Sequence, residues 1–153
     1  MDNTRRGYFG VGIFSPKKEI NVGGLWRGAH CFGASFIFTI QGRYYKQKSD
    51  TSQAYKQVPF YEYAELSQFY ENIPKDCLLV AVETKLAGAH NLFNFVHPER
   101  AIYVMGAEDR GLIKEIVDRA DRLVYVDVPL CLNVATTGSI IMYDRAIKQY
   151  TRG

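Results

Sequence analysis

Glu108 and Asn133 are the residues whose types and positions first suggest chemistry. An apolar run, Ala101 to Met105, stops at Gly106-Ala107-Glu108-Asp109-Arg110-Gly111-Leu112. A second, β-branched run, Leu123 to Val128, leads into Cys131-Leu132-Asn133, and a helix-like stretch follows from Val134 to Tyr150. Both polar residues therefore stand at turns where a strand ends and a helix begins. In open α/β sheets, ligands sit beyond the carboxyl ends of strands and close to helix N-termini, where unsatisfied N–H groups point outward. A carboxylate and a carboxamide there can hold a binding loop in shape by hydrogen bonds. The plainer alternative for each is an ordinary turn or capping residue.

The elements that would position them can be read in order. Tyr8 to Phe14 is a β-rich apolar run and reads as the first strand, closed by Ser15-Pro16. Its glycines lie inside the strand, not in a strand-to-helix turn, so a dinucleotide fingerprint is poorly supported. Glu19 to Phe32 reads as a helix with Leu25, Ala29 and Phe32 on one face, widened by Val22 and Trp26. Gly23, Gly24 and Gly28 each cost about 1 kcal/mol against Ala in a helix interior, which predicts that a helix or ligand approaches closely. Arg27 is the one cation among them. Ser35 to Ile40 reads as a strand, Pro59 to Tyr70 as helical, and Cys77 to Val82 as a buried strand ending at Glu83-Thr84-Lys85. Residues 86–100 read as irregular, and Leu112 to Ala120 as a short helix. The last helix carries two apolar stripes: Ile140, Tyr143, Ile147 and Tyr150, and Val134, Gly138, Ile141 and Met142. One can face the sheet, the other a partner subunit. Strands alternating with helices predict an α/β domain, a mostly parallel sheet with helices on both faces.

Composition sets the bounds. The chain of 153 residues, 47% apolar and 23% charged, reads as a single domain over 1–153 that can bury a core without disulfides. No apolar run spans a bilayer, and no apolar segment follows Met1-Asp2-Asn3-Thr4-Arg5-Arg6 as a secretory signal would require. Cys31, Cys77 and Cys131 are far apart, without a C-x-x-C pair, and the histidines lack ligand spacing. These features point away from a metal site and toward a reducing, cytoplasmic setting. Net charge is +3, but residues 1–56 hold nine Lys/Arg against three Asp/Glu, while the remainder holds ten against thirteen. A basic part beside an acidic one suits a polyanionic partner on one face. Between Gln41 and Gln57, Arg43, Lys46, Lys48 and Lys56 are interleaved with Tyr44, Tyr45 and Tyr55, a mixture suited to meeting RNA phosphates and stacking on bases.

Three segments together resemble the motifs of the SPOUT superfamily of RNA methyltransferases, most closely the TrmH (SpoU) type. Asn21-Val22-Gly23-Gly24-Leu25-Trp26-Arg27 resembles motif 1, Asn-x-Gly-x-x-x-Arg on the first helix. Gly106-x-Glu108-x-x-Gly111-Leu112 resembles motif 2, and Leu132-Asn133-Val134, about 20 residues later, resembles motif 3. The resemblance covers roughly residues 8–150. It departs from the usual pattern before motif 3, where Val124 to Pro129 replaces an Ile-Pro-Met stretch and Cys131 stands where Ser is usual.

The resemblance implies a C-terminal trefoil knot and S-adenosylmethionine as methyl donor. The donor would be bound by loops that map to Val82, Glu83 and Thr84, to Met105 and Gly106, and to Val126, Cys131 and Leu132. It implies 2′-O-ribose methylation of tRNA or rRNA by a homodimer whose site lies near the subunit interface. Arg27 would stabilise the developing alkoxide or fix the neighbouring phosphate, Asn21 would orient Arg27 or the RNA, and Glu108 and Asn133 would hold the site's shape. Two other readings keep the knot: an RNA base methyltransferase, which usually carries different motif-1 residues and an Asp base, and a non-catalytic RNA-binding protein.

Overall fold

The structure, a computed structural model, describes residues 7–42, 57–84, 88–107 and 111–151. Its strands are β1 (Tyr8–Phe14), β2 (Phe36–Ile40), β3 (Phe60–Tyr63), β4 (Leu78–Val82), β5 (His90–Asn91), β6 (Arg100–Gly106) and β7 (Arg122–Tyr125). Its helices are α1 (Glu19–Phe32), α2 (Leu66–Glu71), α3 (Lys114–Arg119) and α4 (Val134–Thr151). The strands form one seven-stranded sheet in the order β3-β2-β1-β6-β4-β7-β5, with every pairing parallel.

Alternation along the central strands divides the core. Ala101, Tyr103 and Met105 of β6 join Phe9, Val11 and Ile13 of β1 beneath α1 and α4, while Ile102 and Val104 face α2 and α3 with Phe36, Phe38 and Phe69. Gly10 and Gly12 lie on the second face, where an added Cβ would strike the rings of Phe36 and Phe38. Aromatic packing, not phosphate binding, therefore accounts for those glycines. Gly24 and Gly28 let α4 approach α1: an added Cβ would stand 3.1 Å from the Cβ of Ala135 and 2.9 Å from the Oγ of Ser139.

Three elements differ from the sequence expectation. Pro59 to Tyr70 is not one helix. Phe60-Tyr61-Glu62-Tyr63 pairs with β2 as an edge strand, and the helix starts only at Leu66, where the Gln68 side chain accepts from the Glu65 backbone N–H at 3.1 Å. The stretch expected to be irregular over 86–100 holds, among its described residues, β5 and a 3₁₀ turn, Leu92–Asn94, capped by Asn91. The strand expected to run to Val128 leaves the sheet after Tyr125.

On α4 the two stripes are resolved. Ile141 and Met142 are 0% and 1% exposed and face the chain's own core, whereas Tyr143, Ile147 and Tyr150 lie outside. A charge at Ile141 or Met142 would thus attack the fold, where each buried side chain is worth about 1.5–3 kcal/mol, rather than a subunit contact.

A buried polar chain ties α4 to the amino ends of the strands. Arg145, 1% exposed, donates to the carbonyls of Pro98 (2.6 Å) and Glu99 (2.8 Å) and to the Tyr103 hydroxyl (2.9 Å). Tyr103 in turn meets His97 Nδ1 at 2.7 Å, and His97 Nε2 meets Asp144 at 2.7 Å. The direction is fixed because Arg145 can only donate: Tyr103 gives its proton to Nδ1, and Nε2–H points at Asp144. Burial lowers the His97 pKa to about 4, against the pull of Asp144 and aided by Arg145 and Lys148.

The unfolded chain takes up this proton below about pH 6.5, the folded chain only near 4. Stability should therefore be fully present above pH 6.5 and fall as pH drops toward 4, by up to about 1.4 kcal/mol per pH unit. Urea denaturation between pH 4.5 and 7.5 checks this against His97→Gln, which should lack that part of the slope. Parallel pH curves for the two proteins would refute it.

Candidate active site

A cavity of about 580 Å³ opens at the carboxyl ends of β4, β6 and β7, beside the first turn of α4. Val82, Glu83, Thr84, Met105, Gly106, Val126, Cys131 and Leu132 all line it, joined by Ala107, Gly111, Tyr125, Asp127 and Thr137. It exists because the chain leaves the sheet after Tyr125, so residues 126–132 wrap the opening instead of extending the strand.

The loop after β6 is pinched at its base. Ala107 bridges antiparallel to Gly111, whose N–H donates to the Ala107 carbonyl at 3.0 Å. Gly111 has φ of +66°, a conformation that favours glycine, and an added Cβ on Gly106 would overlap its backbone. Glu83 holds the far side: its carboxylate accepts from the Leu112 backbone N–H and, at 3.0 Å, from that of Thr84. Glu108, at 108–110, lies outside the described residues, as do Arg43, Lys46 and Lys48 in 43–56.

Asn133 and Asn21, 112 positions apart in sequence, are joined directly. Asn133 caps α4, its side-chain oxygen accepting from the N–H groups of Ala135 (2.9 Å) and Thr136 (3.2 Å). Its Nδ2 donates to Asn21 Oδ1 at 2.8 Å. The capping and functional readings of Asn133 are thus not alternatives, since one carboxamide does both. Arg27 lies six residues beyond Asn21 on α1, about 9 Å along the axis and roughly 240° around it. Its side chain is exposed and lines neither this cavity nor the next.

A second cavity of about 200 Å³ adjoins the first, sharing Ala107 and Val134 and lined otherwise by Ile13, Pro16, Lys17, Lys18 and Asn21. Sequence reasoning passed over Lys17 and Lys18. The signal was there: two cations follow Ser15-Pro16 at the carboxyl end of β1, the same kind of position that singled out Glu108. Among the described residues, no group of three His, Cys, Asp or Glu could hold a metal ion, and no helix is long and apolar enough to cross a membrane.

The model of the SpoU rRNA Methylase family matches residues 9–143. The chain belongs to that family. None of the curated proteins matches this SpoU-family chain. Among solved structures, the TrmH/SpoU tRNA modifying enzyme of A. aeolicus superposes with a TM-score of 0.83 at 18% identity, over 97% of this chain and 81% of that one. The SpoU methyltransferase AviRb of Streptomyces viridochromogenes gives 0.82 at 17%, over 95% and 61%. An AdoMet-bound rRNA methyltransferase of Sinorhizobium meliloti gives 0.80 at 21%, over 93% and 57%. The chain thus spans about three fifths of the length of the latter two. Identities this low carry the fold: the parallel α/β architecture is that of SpoU methyltransferases.

Proposed function

We propose that this chain transfers the methyl group of S-adenosylmethionine to a ribose 2′-hydroxyl of a structured RNA, tRNA or rRNA. The observation that carries the reading is the 580 Å³ cavity at the strand ends, walled by the loops that motifs 2 and 3 occupy and tied by Asn133 to motif 1. A solved structure concerned with the 2-OH methylation of C/U34 on tRNA superposes with a TM-score of 0.78 at 19% identity, covering 97% of this chain and 99% of that one.

The cavity fits the donor. Its volume lies within the range of small-molecule sites, about 300–1,000 Å³. Val126, Leu132 and Val134 offer apolar walls to an adenine, and Gly106 and Gly111 leave backbone exposed to close approach. Glu83 and Asp127 bring negative charge to a site for a sulfonium. When bound, the donor supplies an electrophilic methyl group. The trefoil knot belongs to this reading and is supported by the loops after β4 and β7 lining one cavity.

A ribose hydroxyl is a poor nucleophile near neutral pH and needs placement and charge stabilisation. Asn133 and Asn21 fix the wall between the two cavities. Arg27, a cation that does not lose its proton, stabilises the developing alkoxide or holds the adjacent phosphate. Its absence from the lining of both cavities favours a homodimer in which α1 of one copy completes the site of the other. The exposed stripe Tyr143, Ile147 and Tyr150 supplies an apolar face for that contact. Ile147→Glu should yield a folded monomer, where light scattering at micromolar concentration finds a dimer for the unaltered chain; a monomeric mass for the latter would refute the assembly.

The donor assignment has its own test. S-adenosylmethionine and S-adenosylhomocysteine at millimolar concentration should both raise the melting temperature by linkage. No shift with either removes the enzyme reading and leaves RNA binding alone. Nucleoside mass spectrometry of the methylated RNA then separates ribose from base modification.

A further inference from the structure

The opposite end of the sheet, on the face of α2 and α3, carries an aromatic surface that neither cavity uses. Gly10 and Gly12 leave no side chain on that face of β1, and the rings of Phe36 and Phe38 lie across them: an added Cβ would come within 2.4 Å of either ring. β2 runs between β3 and β1, so Tyr61 and Tyr8 stand on either side of Phe36. Their ring centroids are 5.7 and 6.1 Å from that of Phe36, with planes inclined by 64° and 46°. Neither stacks flat on it, which leaves ring faces for another aromatic group. Phe69 of α2 stacks on Phe38 at 4.9 Å, but among the described residues no ring of α2 reaches Tyr8, Phe36 or Tyr61. Tyr61 is 48% exposed. At the other end of the row, the Arg100 guanidinium lies 4.6 Å from the centre of the Tyr8 ring, and its Nε donates to the Lys75 carbonyl at 3.3 Å. Arg100 and Lys75 are both exposed. We infer that this surface is a second contact with RNA, where one unpaired base stacks on Tyr61 and another on the Arg100 guanidinium that Tyr8 backs.

Chemistry selects the occupant. Every base has a π-face, and unpaired bases stack on aromatic rings and on guanidinium planes. Cations beside such rings meet the phosphates between the bases. Charge agrees with a polyanion. The groups that act on Tyr8 include Arg100 and no carboxylate, and burial, more than any neighbour, raises the Tyr8 pKa. Its hydroxyl therefore keeps its proton and can donate to a phosphate oxygen. Asp76 is close by, but at Cys77 its pull is outweighed by that of Arg100. The position separates this contact from the chemistry. β1 runs about 20 Å from Tyr8 to Phe14, and the donor cavity lies at the carboxyl ends. RNA held here gains affinity without touching the reacting groups.

The inference rests on the methyl-transfer reading only for its class of partner, and its readout is separate. Fluorescence anisotropy of the full chain is measured with a labelled single-stranded uridine octamer and with an abasic oligomer of the same length. Calorimetry with S-adenosylhomocysteine runs in parallel. Tyr61→Ala should weaken octamer binding by about fivefold or more and change abasic binding by less than about twofold. Tyr61→Leu, which keeps bulk on the strand without a ring, should lose as much, and Tyr61→Phe should lose little. Arg100→Ala should weaken both oligomers and flatten their salt dependence. Affinity for S-adenosylhomocysteine should stay within about twofold throughout, because neither residue lines a cavity.

An unaltered octamer affinity in Tyr61→Ala and Tyr61→Leu, or no octamer binding by the unaltered chain, overturns the inference; if S-adenosylhomocysteine still binds, the methyl-transfer reading stands. Equal losses for octamer and abasic oligomer in Tyr61→Leu overturn the stacking assignment. A fall in assembly mass on Tyr61→Ala, seen by light scattering, would assign the surface to a contact between copies and overturn the inference as well. Ring-dependent octamer binding without S-adenosylhomocysteine binding supports the surface and removes the methyltransferase.

Discussion

Arg27→Ala should slow methyl transfer by about 10²–10⁴-fold while leaving donor affinity nearly intact. Groups that act mainly on the transition state alter turnover more than ground-state binding. Arg27 is exposed on α1 and lines neither cavity, so its loss removes nothing from the walls around the donor. Arg27→Lys should rescue poorly, because an ammonium lacks the planar fork that can hold a phosphate and a hydroxyl together. The measurement is single-turnover methylation with saturating RNA, alongside calorimetry with the donor and light scattering for assembly. Near-normal turnover in Arg27→Ala, with the dimer intact, would sink the role of Arg27. The main sequence argument for ribose over base methylation would go with it.

The second large effect is on stability. Arg145→Ala should cost on the order of 3 kcal/mol, a sizeable share of the roughly 5–15 kcal/mol available to a domain. The guanidinium satisfies the carbonyls of Pro98 and Glu99 and the hydroxyl of Tyr103, and it stacks at 4.8 Å on the Phe9 ring. Truncation takes the guanidinium from the Pro98 carbonyl, an acceptor costing about 1–3 kcal/mol when left unpaired, while the Glu99 carbonyl keeps the Tyr8 N–H and the Tyr103 hydroxyl keeps His97. Arg145 is far along α4 from the turn that meets the donor cavity, so the residual folded protein should retain donor affinity. Urea denaturation checks the first point and calorimetry below the transition the second. A loss under about 1 kcal/mol would show that the polar chain from Arg145 to Asp144 is replaceable.

Much of the architecture could be read from local pattern. β1 and α1 have the bounds expected of them, because each is a long run with one unambiguous period, closed by Ser15-Pro16 at one end and by Gly33 in the left-handed conformation at the other. The order of strands and helices predicted a parallel α/β sheet, and the three motifs predicted the family whose model matches residues 9–143. The family resemblance, not local pattern, implied the loops at 82–84, 105–106 and 126–132, which share one cavity.

The two edge strands were not legible. The aromatic residues of Phe60-Tyr61-Glu62-Tyr63 satisfy helical and strand spacing alike over four residues, and only pairing with β2 decides between them. β5 is two residues long and has no period at all; it exists because β7 offers an edge. Which stripe of α4 lies inside depended on where α1 and the sheet sit, since Ile141 of one stripe and Ile147 of the other are the same residue type, one 0% and the other 44% exposed. The bond from Asn133 to Asn21 and the pairing of Lys17 and Lys18 with Ala107 and Val134 join chain segments about a hundred residues apart. The buried chain from Arg145 through Tyr103 and His97 to Asp144 likewise needs β6, the loop before it and α4 together. Periodicity describes a residue's neighbours within a turn or two of chain, whereas burial, cavity walls and buried polar partners are set by which distant segments the sheet order brings side by side.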